Sequence, residues 1–245
     1  MTRRNFWKFL TRIHRYAGLV LGVQILIWFA SGFFMSFFDI DNVRGTHIAQ
    51  KRAFDLSMEG VVPLSDLPLS VSTLSLGPLK SAELISVVGT PVYKITADEV
   101  VYLNAITAAP HEPISEAAAA AAAARYYTGS GAVKRTTLLT QAPIEFRGAL
   151  PVWQVSYQDP ARSRLYIDAQ TAELTAVRTR LWRIFDFMWM LHIMDYDGRD
   201  DINNWWLWAA ALFSALFALS GLSLVVHRIF LRPHRSAGPL DERIP

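Results

Sequence analysis

Ala17 to Phe38 is a run of 22 residues without one charged side chain. At about 1.5 Å of rise per residue, such a run reaches about 33 Å as a helix, roughly the hydrocarbon thickness of a bilayer. Trp205 to Val226 is a second uncharged run of the same length. These runs predict transmembrane helices over residues 16–38 and 203–227. The hydrophobic share of 52% is only slightly above ordinary usage, so the chain between the runs is expected to fold rather than to span again.

Two spans put both termini on one side. Arg3, Arg4, Lys8, Arg12 and Arg15 precede the first run, and Arg228, Arg232 and Arg235 follow the second. The inner ends of the connecting segment are acidic, with Asp39 and Asp41 at one and Asp195, Asp197, Asp200 and Asp201 at the other. Positively charged flanks stay cytoplasmic, so the expected topology is a bacterial inner-membrane protein with cytoplasmic termini and a periplasmic middle. Trp205, Trp206 and Trp208, with Phe33, Phe34, Phe37 and Phe38, suit an aromatic belt at the outer interface. A cleaved signal is disfavoured, because the first run exceeds a 7–15-residue signal core and no small-residue cleavage site follows Phe38.

The net charge of +3 does not point to nucleic acid, since the cations crowd beside the apolar runs. With no cysteine, disulfides, thiolate metal sites, c-type haem attachment and thiol catalysis are excluded together. Serine-hydrolase, zinc-protease, Walker and dinucleotide motifs are missing from the sequence. Asp195 to Asp201 has the acids of a calcium loop without its terminal Glu and reads as a solvated turn.

Residues 1–15 form a basic amphipathic lead-in, with Phe6, Phe9, Leu10 and Ile13 at helical spacing. It is expected to lie on the membrane or to extend the first span. Gly18 and Gly22 make a G-x-x-x-G that favours close helix approach, and Ala211/Ala215 and Ser214/Ala218 are weaker versions. Residues 181–194 are mostly apolar but too short to span, and with Arg183 and Asp186 on one side they predict an amphipathic helix on the outer face, within an interfacial segment of residues 181–200. Residues 228–245 form a cytoplasmic tail.

Residues 39–180 carry an internal duplication, with repeats at about 61–110 and 111–176. Pro63-Leu64-Ser65-Asp66 recurs as Pro113-Ile114-Ser115-Glu116, and Pro91-Val92-Tyr93-Lys94-Ile95 as Pro151-Val152-Trp153-Gln154-Val155. Tyr102 to Ala108 recurs as Tyr166 to Ala172. Ser65 and Ser115 are helix N-caps by position, and eight alanines from Ala117 to Ala124 continue the second helix. The other blocks alternate as strands, with turns at Asp98-Glu99, at Gln158-Asp159-Pro160 and at Asp168-Ala169-Gln170. The expected fold is a membrane-anchored α+β protein: two transmembrane helices flanking a duplicated helix-strand-strand domain with an antiparallel sheet.

The helix, Pro151-Val152-Trp153, and Leu165-Tyr166-Ile167-Asp168-Ala169-Gln170-Thr171-Ala172-Glu173-Leu174 resemble the PepSY domain, with Ala172 where its turn has Gly. His14-Arg15-Tyr16-Ala17-Gly18-Leu19 and Leu191 to Gly198 resemble the histidine-bearing segments of PepSY-associated transmembrane proteins. Larger members with four spans include iron-siderophore reductases that hold two b-type haems through membrane histidines. The resemblance therefore implies an electron-transfer or accessory role in ferric or siderophore-iron reduction. Alternatively it implies a periplasmic binding or regulatory module, since PepSY domains elsewhere restrain proteases, or a structural subunit of a larger complex. With two spans, this chain is expected to work with a membrane-protein partner or as a homo-oligomer in the lipid bilayer.

His14 precedes the first run by three residues and His227 follows the second by one. Both should lie near the cytoplasmic boundary, and two imidazoles on facing helices are a usual cradle for haem b. The competing reading is an imidazole beside arginine that is simply solvated. His192 belongs to the other side, so a haem there needs a ligand from a second subunit, or His47 if the loop after the first span folds back. His111 and His234 sit in a turn and in the tail and carry no functional expectation.

Overall fold

The computed structural model describes residues 3–66 and 78–231. Arg232, His234 and Arg235 of the tail lie outside the described residues, as does most of the helix expected after Ser65. The chain divides into two compact units: residues 37–186, and residues 1–36 with 187–245.

In the 37–186 unit, the short helix α2 (Ile40–Arg44) starts at Asp39, whose carboxylate accepts from the amides of Asp41 and Asn42. It stops at Gly45, which has φ 76°; a Cβ there would meet Val177 Cγ1 at 2.8 Å. Both the dihedral and the close approach therefore require glycine. Leu64–Asp66 form a 3-10 turn in which Ser65 donates to its neighbour Asp66; the amides that Ser65 would cap lie outside the described residues.

Strands β1 (Ser81–Val87), β2 (Thr90–Thr96) and β3 (Val100–Asn104) form one antiparallel sheet in that order. Helix α3 (Glu116–Tyr126) follows, capped at Ser115, whose hydroxyl accepts from the Ala118 amide as expected. Strands β4 (Ala132–Leu139), β5 (Val152–Gln158), β6 (Arg164–Asp168) and β7 (Leu174–Arg178) form a second antiparallel sheet, again in sequence order. Two strands per repeat and a single sheet were expected; the structure has three and four strands in two sheets. β1, β4 and β7 escaped because each is short or largely polar on its exposed face.

The two hairpins built by the repeated blocks share their register. Val92 pairs with Asn104 and Lys94 with Tyr102; Val152 pairs with Asp168 and Gln154 with Tyr166. Each hairpin runs into the same turn. Asn104 accepts from the amides of Ile106 and Thr107, and Asp168 from those of Gln170 and Thr171. Ala108 and Ala172 then adopt φ of 56° and 59°.

The alanine run has a packing reason as well as a helical one. Ala119, Ala122 and Ala123 are fully buried in a core with Val155, Leu165 and Ile167. Methyl side chains let α3 lie close on the sheet. Each fully buried branched side chain contributes about 1.5–3 kcal/mol.

The other unit is built on helix α1 (Arg3–Phe37), 35 residues long, so the basic lead-in is the first turns of the spanning helix. Helix α4 (Arg180–Ile193) begins in the 37–186 unit and ends in this one. Helix α5 (Trp205–Val226) runs into a π-helical turn, His227–Leu231. Only 6% of the most apolar window of α1 and 0% of that of α5 is buried against protein, so neither is the core helix of a soluble domain. Both are long and apolar enough to cross a bilayer.

Their less exposed residues include a row at alternating steps of three and four, 14, 18, 21, 25, 28 and 32 on α1 and 207, 210, 214, 217, 221 and 224 on α5, with neighbours such as 17, 24, 31, 209 and 220 beside it. That spacing gives each helix one seam and leaves the rest of its surface for lipid. Asn204 ties the ends together. Its amide group donates to the carbonyls of Ile193 and Asp201, while its oxygen accepts from the Leu207 amide as the α5 N-cap. Asp195 organises the acidic loop by accepting from the amides of Gly198, Asp200 and Asp201, as a turn residue does.

Candidate functional site

His14 on α1 and His192 near the end of α4 are held the same way. His14 Nδ1 lies 2.7 Å from Ser220 Oγ, and His192 Nδ1 lies 3.1 Å from Ser31 Oγ. In each case a glycine follows the serine. A Cβ on Gly221 would come within 2.9 Å of His14 Cε1, and one on Gly32 within 3.3 Å of His192 Cε1. Two Ser-Gly steps, Ser31-Gly32 on α1 and Ser220-Gly221 on α5, thus provide a hydroxyl and a bare patch of backbone against which an imidazole lies. His14 also stacks on Phe217, centroids 4.3 Å apart and planes within 6°.

Each serine also has a helix carbonyl in reach: Ser220 Oγ lies 2.7 Å from the Phe217 carbonyl, and Ser31 Oγ 2.7 Å from the Ile27 carbonyl. A serine has one proton to give. A hydroxyl that gives it to the carbonyl accepts from Nδ1–H, the tautomer that keeps Nε2 as the acceptor. Nε2 of each ring has no hydrogen-bond partner among the described residues. Imidazole presents that atom to iron or to another acid when Nδ1–H is tied to a fixed acceptor.

His227 is placed differently. It stacks on Trp7 at 3.8 Å with planes within 4°, and its Nδ1 is buried without a partner. Trp7 and His14 are seven residues apart on α1, as are His227 and Ser220 on the antiparallel α5. His14 and His227 are therefore offset by about 10 Å along the helices, not level as the sequence suggested. The structure does not bring them together across a shared gap. His192 sits at Ser31, 17 residues from His14, about 25 Å along α1. Of the Gly18/Gly22 motif, a Cβ on Gly18 would meet the Phe217 ring at 3.3 Å, while one on Gly22 would meet nothing within 4 Å.

Beside His192 lies a cavity of about 740 Å³ lined by Ile25, Trp28, Phe29, Gly32, Phe33, Ser36, Ile193 and Leu207. Its wall is apolar and aromatic apart from His192 and Ser36. Trp28 Nε1 is buried within the protein, with no hydrogen-bond partner among the described residues.

The remaining histidines belong to the 37–186 unit. His47 lines a groove of about 620 Å³ beside edge strand β7, with Arg44 and Lys51. His111 Nε2 lies 3.1 Å from the Gln170 carbonyl and ties the two repeated turns together. No group of three or more metal-ligating side chains exists among the described residues.

Glu145 was not anticipated from sequence. It is 9% exposed and accepts from Tyr166 at 2.7 Å, from Arg164 at 2.6 Å and from Arg183 at 2.8 Å. Burial alone would raise its pKa, but hydrogen bonds from Tyr166, Arg164 and Arg183 outweigh it and hold the carboxyl below its usual value. Burial, then the Glu145 carboxylate, push Tyr166 up. This network fastens the loop before β5 to β6 and to the start of α4, and it carries a structural role. Nothing in local sequence pattern marks it, since its members are far apart in the chain.

Two apolar helices of bilayer length bracketing an antiparallel α+β unit define a membrane protein with a folded middle. The chain belongs to the PepSY-associated transmembrane family: the family model described as PepSY-associated TM region matches residues 11–238. No curated protein and no solved structure matches it.

Proposed function

We propose that the chain is an inner-membrane electron-transfer or accessory component serving the reduction of ferric or siderophore-bound iron, with haem b bound through its membrane histidines. The carrying observation is His14, whose Nδ1 lies 2.7 Å from Ser220 Oγ and whose Nε2 has no hydrogen-bond partner among the described residues. An imidazole held at Nδ1 in this way suits a haem ligand. Haem, when bound, would supply reversible one-electron transfer. Ser220 would fix the ring and its tautomer, and Phe217 its plane. His227 fits less well, with its ring on Trp7, so a second histidine for the haem would come from a partner chain or a second copy. His192 offers the same Nε2 at the other end of α1. The iron assignment rests on the family likeness alone.

Basic flanks and acidic connecting ends support cytoplasmic termini and a periplasmic 37–186 unit. Common hairpin register and common turn geometry support a duplicated origin for that unit. The test is a reduced-minus-oxidised visible spectrum of the purified chain in detergent. A b-type Soret and α band that His14→Ala abolishes is expected; a colourless protein from haem-replete cells overturns the reading.

The second reading is a binding module. The groove along β7 pairs an edge strand with Arg44, His47 and Lys51, a surface suited to an acidic extended segment. A pull-down that returns one soluble partner, lost in Arg44→Glu/Lys51→Glu, would favour it.

A further inference from the structure

We propose that the groove along β7 receives an extended acidic peptide segment, paired with the β7 main chain at Val177 and held across the groove by Arg44, His47 and Lys51. This deepens the binding-module reading, on which it rests, by naming how the partner is gripped. Three observations carry it. β7 ends the sheet order β4-β5-β6-β7, so its outer edge pairs with no other strand among the described residues. Hydrogen bonding alternates along an antiparallel pair. The Tyr157 amide donates to the Ser163 carbonyl, so Ser163 and Leu165 turn their main chain toward β5. Arg164 and Tyr166 therefore face Arg178 and Ala176, and Val177, opposite Leu165, turns its N–H and C=O outward. Its carbonyl accepts from Arg178 Nη1 at 3.0 Å and keeps a second lone pair, so Val177 offers a donor and an acceptor to a passing strand.

The second observation is the opposite bank. The Gln50 amide donates to the Tyr126 carbonyl at 3.0 Å, the Thr128 amide to the Ile48 carbonyl at 2.9 Å and the Thr128 hydroxyl to the His47 carbonyl at 2.7 Å. These bonds hold residues 47–50 from the α3 side. Between that segment and β7 lies the cavity of about 620 Å³, with buried Ala49, Leu174 and Val177 in its lining. The third is charge. Arg44, His47 and Lys51 line the groove and no carboxylate does. Arg44 and Lys51 are exposed and form no ion pair among the described residues.

The edge alone is a weak platform. Its register shifts between Tyr166 and Ile167, and Thr175 Oγ1 donates back to the Tyr166 carbonyl. Such a bulge limits strand pairing, here to the Val177 end. Each net main-chain bond there is worth about two- to ten-fold in affinity. Each exposed ion pair adds about two- to five-fold. The two contributions are comparable, so removing either should be visible.

The test uses the full chain in phosphatidylcholine nanodiscs, titrated by fluorescence anisotropy with a labelled pentapeptide of alternating glutamate and valine. Binding is expected, weakened about four- to 25-fold in Arg44→Gln/Lys51→Gln, the product of two exposed pairs. The same peptide N-methylated on its main chain should bind about two- to ten-fold more weakly, the range of one net hydrogen bond. That change lies on the peptide, so a misfolded variant cannot mimic it. Lys134→Gln, on the opposite edge strand β4, should leave affinity unchanged. No binding, equal binding of a lysine–valine peptide or of the N-methylated peptide, equal affinity for free glutarate, or a loss in Lys134→Gln overturns the proposal. A soluble partner captured alike by wild type and Arg44→Gln/Lys51→Gln, with no peptide bound, overturns the groove and leaves the binding-module reading standing.

Discussion

Ser220→Ala probes the membrane site with the least disturbance. The substitution removes the hydroxyl that lies 2.7 Å from His14 Nδ1. Helix α5 itself should not suffer, since alanine is a better helix former than serine. The lost bond is half-buried and is worth about 1 kcal/mol. That corresponds to about a five-fold change in an equilibrium, so the ratio of Nδ1–H to Nε2–H tautomer at His14 should fall about five-fold. If iron occupies Nε2, loss of the outer partner should also weaken its binding about 10- to 100-fold. Ser220→Thr retains a hydroxyl that can bond the preceding turn, and should restore the wild-type ratio. The assay is solid-state 15N spectroscopy of histidine-labelled protein in nanodiscs, where protonated and unprotonated ring nitrogens resolve. A tautomer ratio that moves less than two-fold in Ser220→Ala would refute the reasoning, because the serine would then not be setting the proton.

Glu145→Gln should cost about 2–3 kcal/mol. That is below the 3–5 kcal/mol typical of breaking a buried pair, since the Arg164 side chain is 43% exposed and its share is screened. The folded pKa of Glu145 lies below its ordinary 4.5, so its contribution is complete above that pH and is lost as pH falls through the folded value. The stability gap between wild type and Glu145→Gln in thermal melts should thus be full at neutral pH and close on acidification below 4.5. Ala122→Leu forces a branched side chain under α3 where exposure is 0%, and circular dichroism melts should show a loss of about 1–3 kcal/mol.

Much of the architecture was legible because its signals are local. Charge-free runs of bilayer length report the spans, and the Ser115 cap with its alanines reports α3. Aligned repeats report two hairpins whose registers then agree. The strands missed were those whose pattern is diluted by polar exposed faces, such as Ala132–Leu139. The histidines were found as a residue type in a membrane context, but their partners were not. Ser31-Gly32 and Ser220-Gly221 are unremarkable dipeptides until a ring is laid on them. Glu145 draws its donors from β6 and α4, and no spacing rule connects those positions.

The sequence by itself determined that this chain crosses a membrane, that its middle folds as α+β, and that a few imidazoles lie at the ends of the spans. Burial of apolar residues and local hydrogen bonding govern those properties, and both are written in composition and periodicity. Only the tertiary structure decided which serine lies against each histidine and that His14 and His227 do not share a gap. The antiparallel register of α1 and α5 offsets His14 from His227 by two turns, and Ser220 and Ser31 lie at Nδ1 of His14 and His192. Such outcomes depend on atoms brought together from distant parts of the chain, where angle and register matter more than residue type.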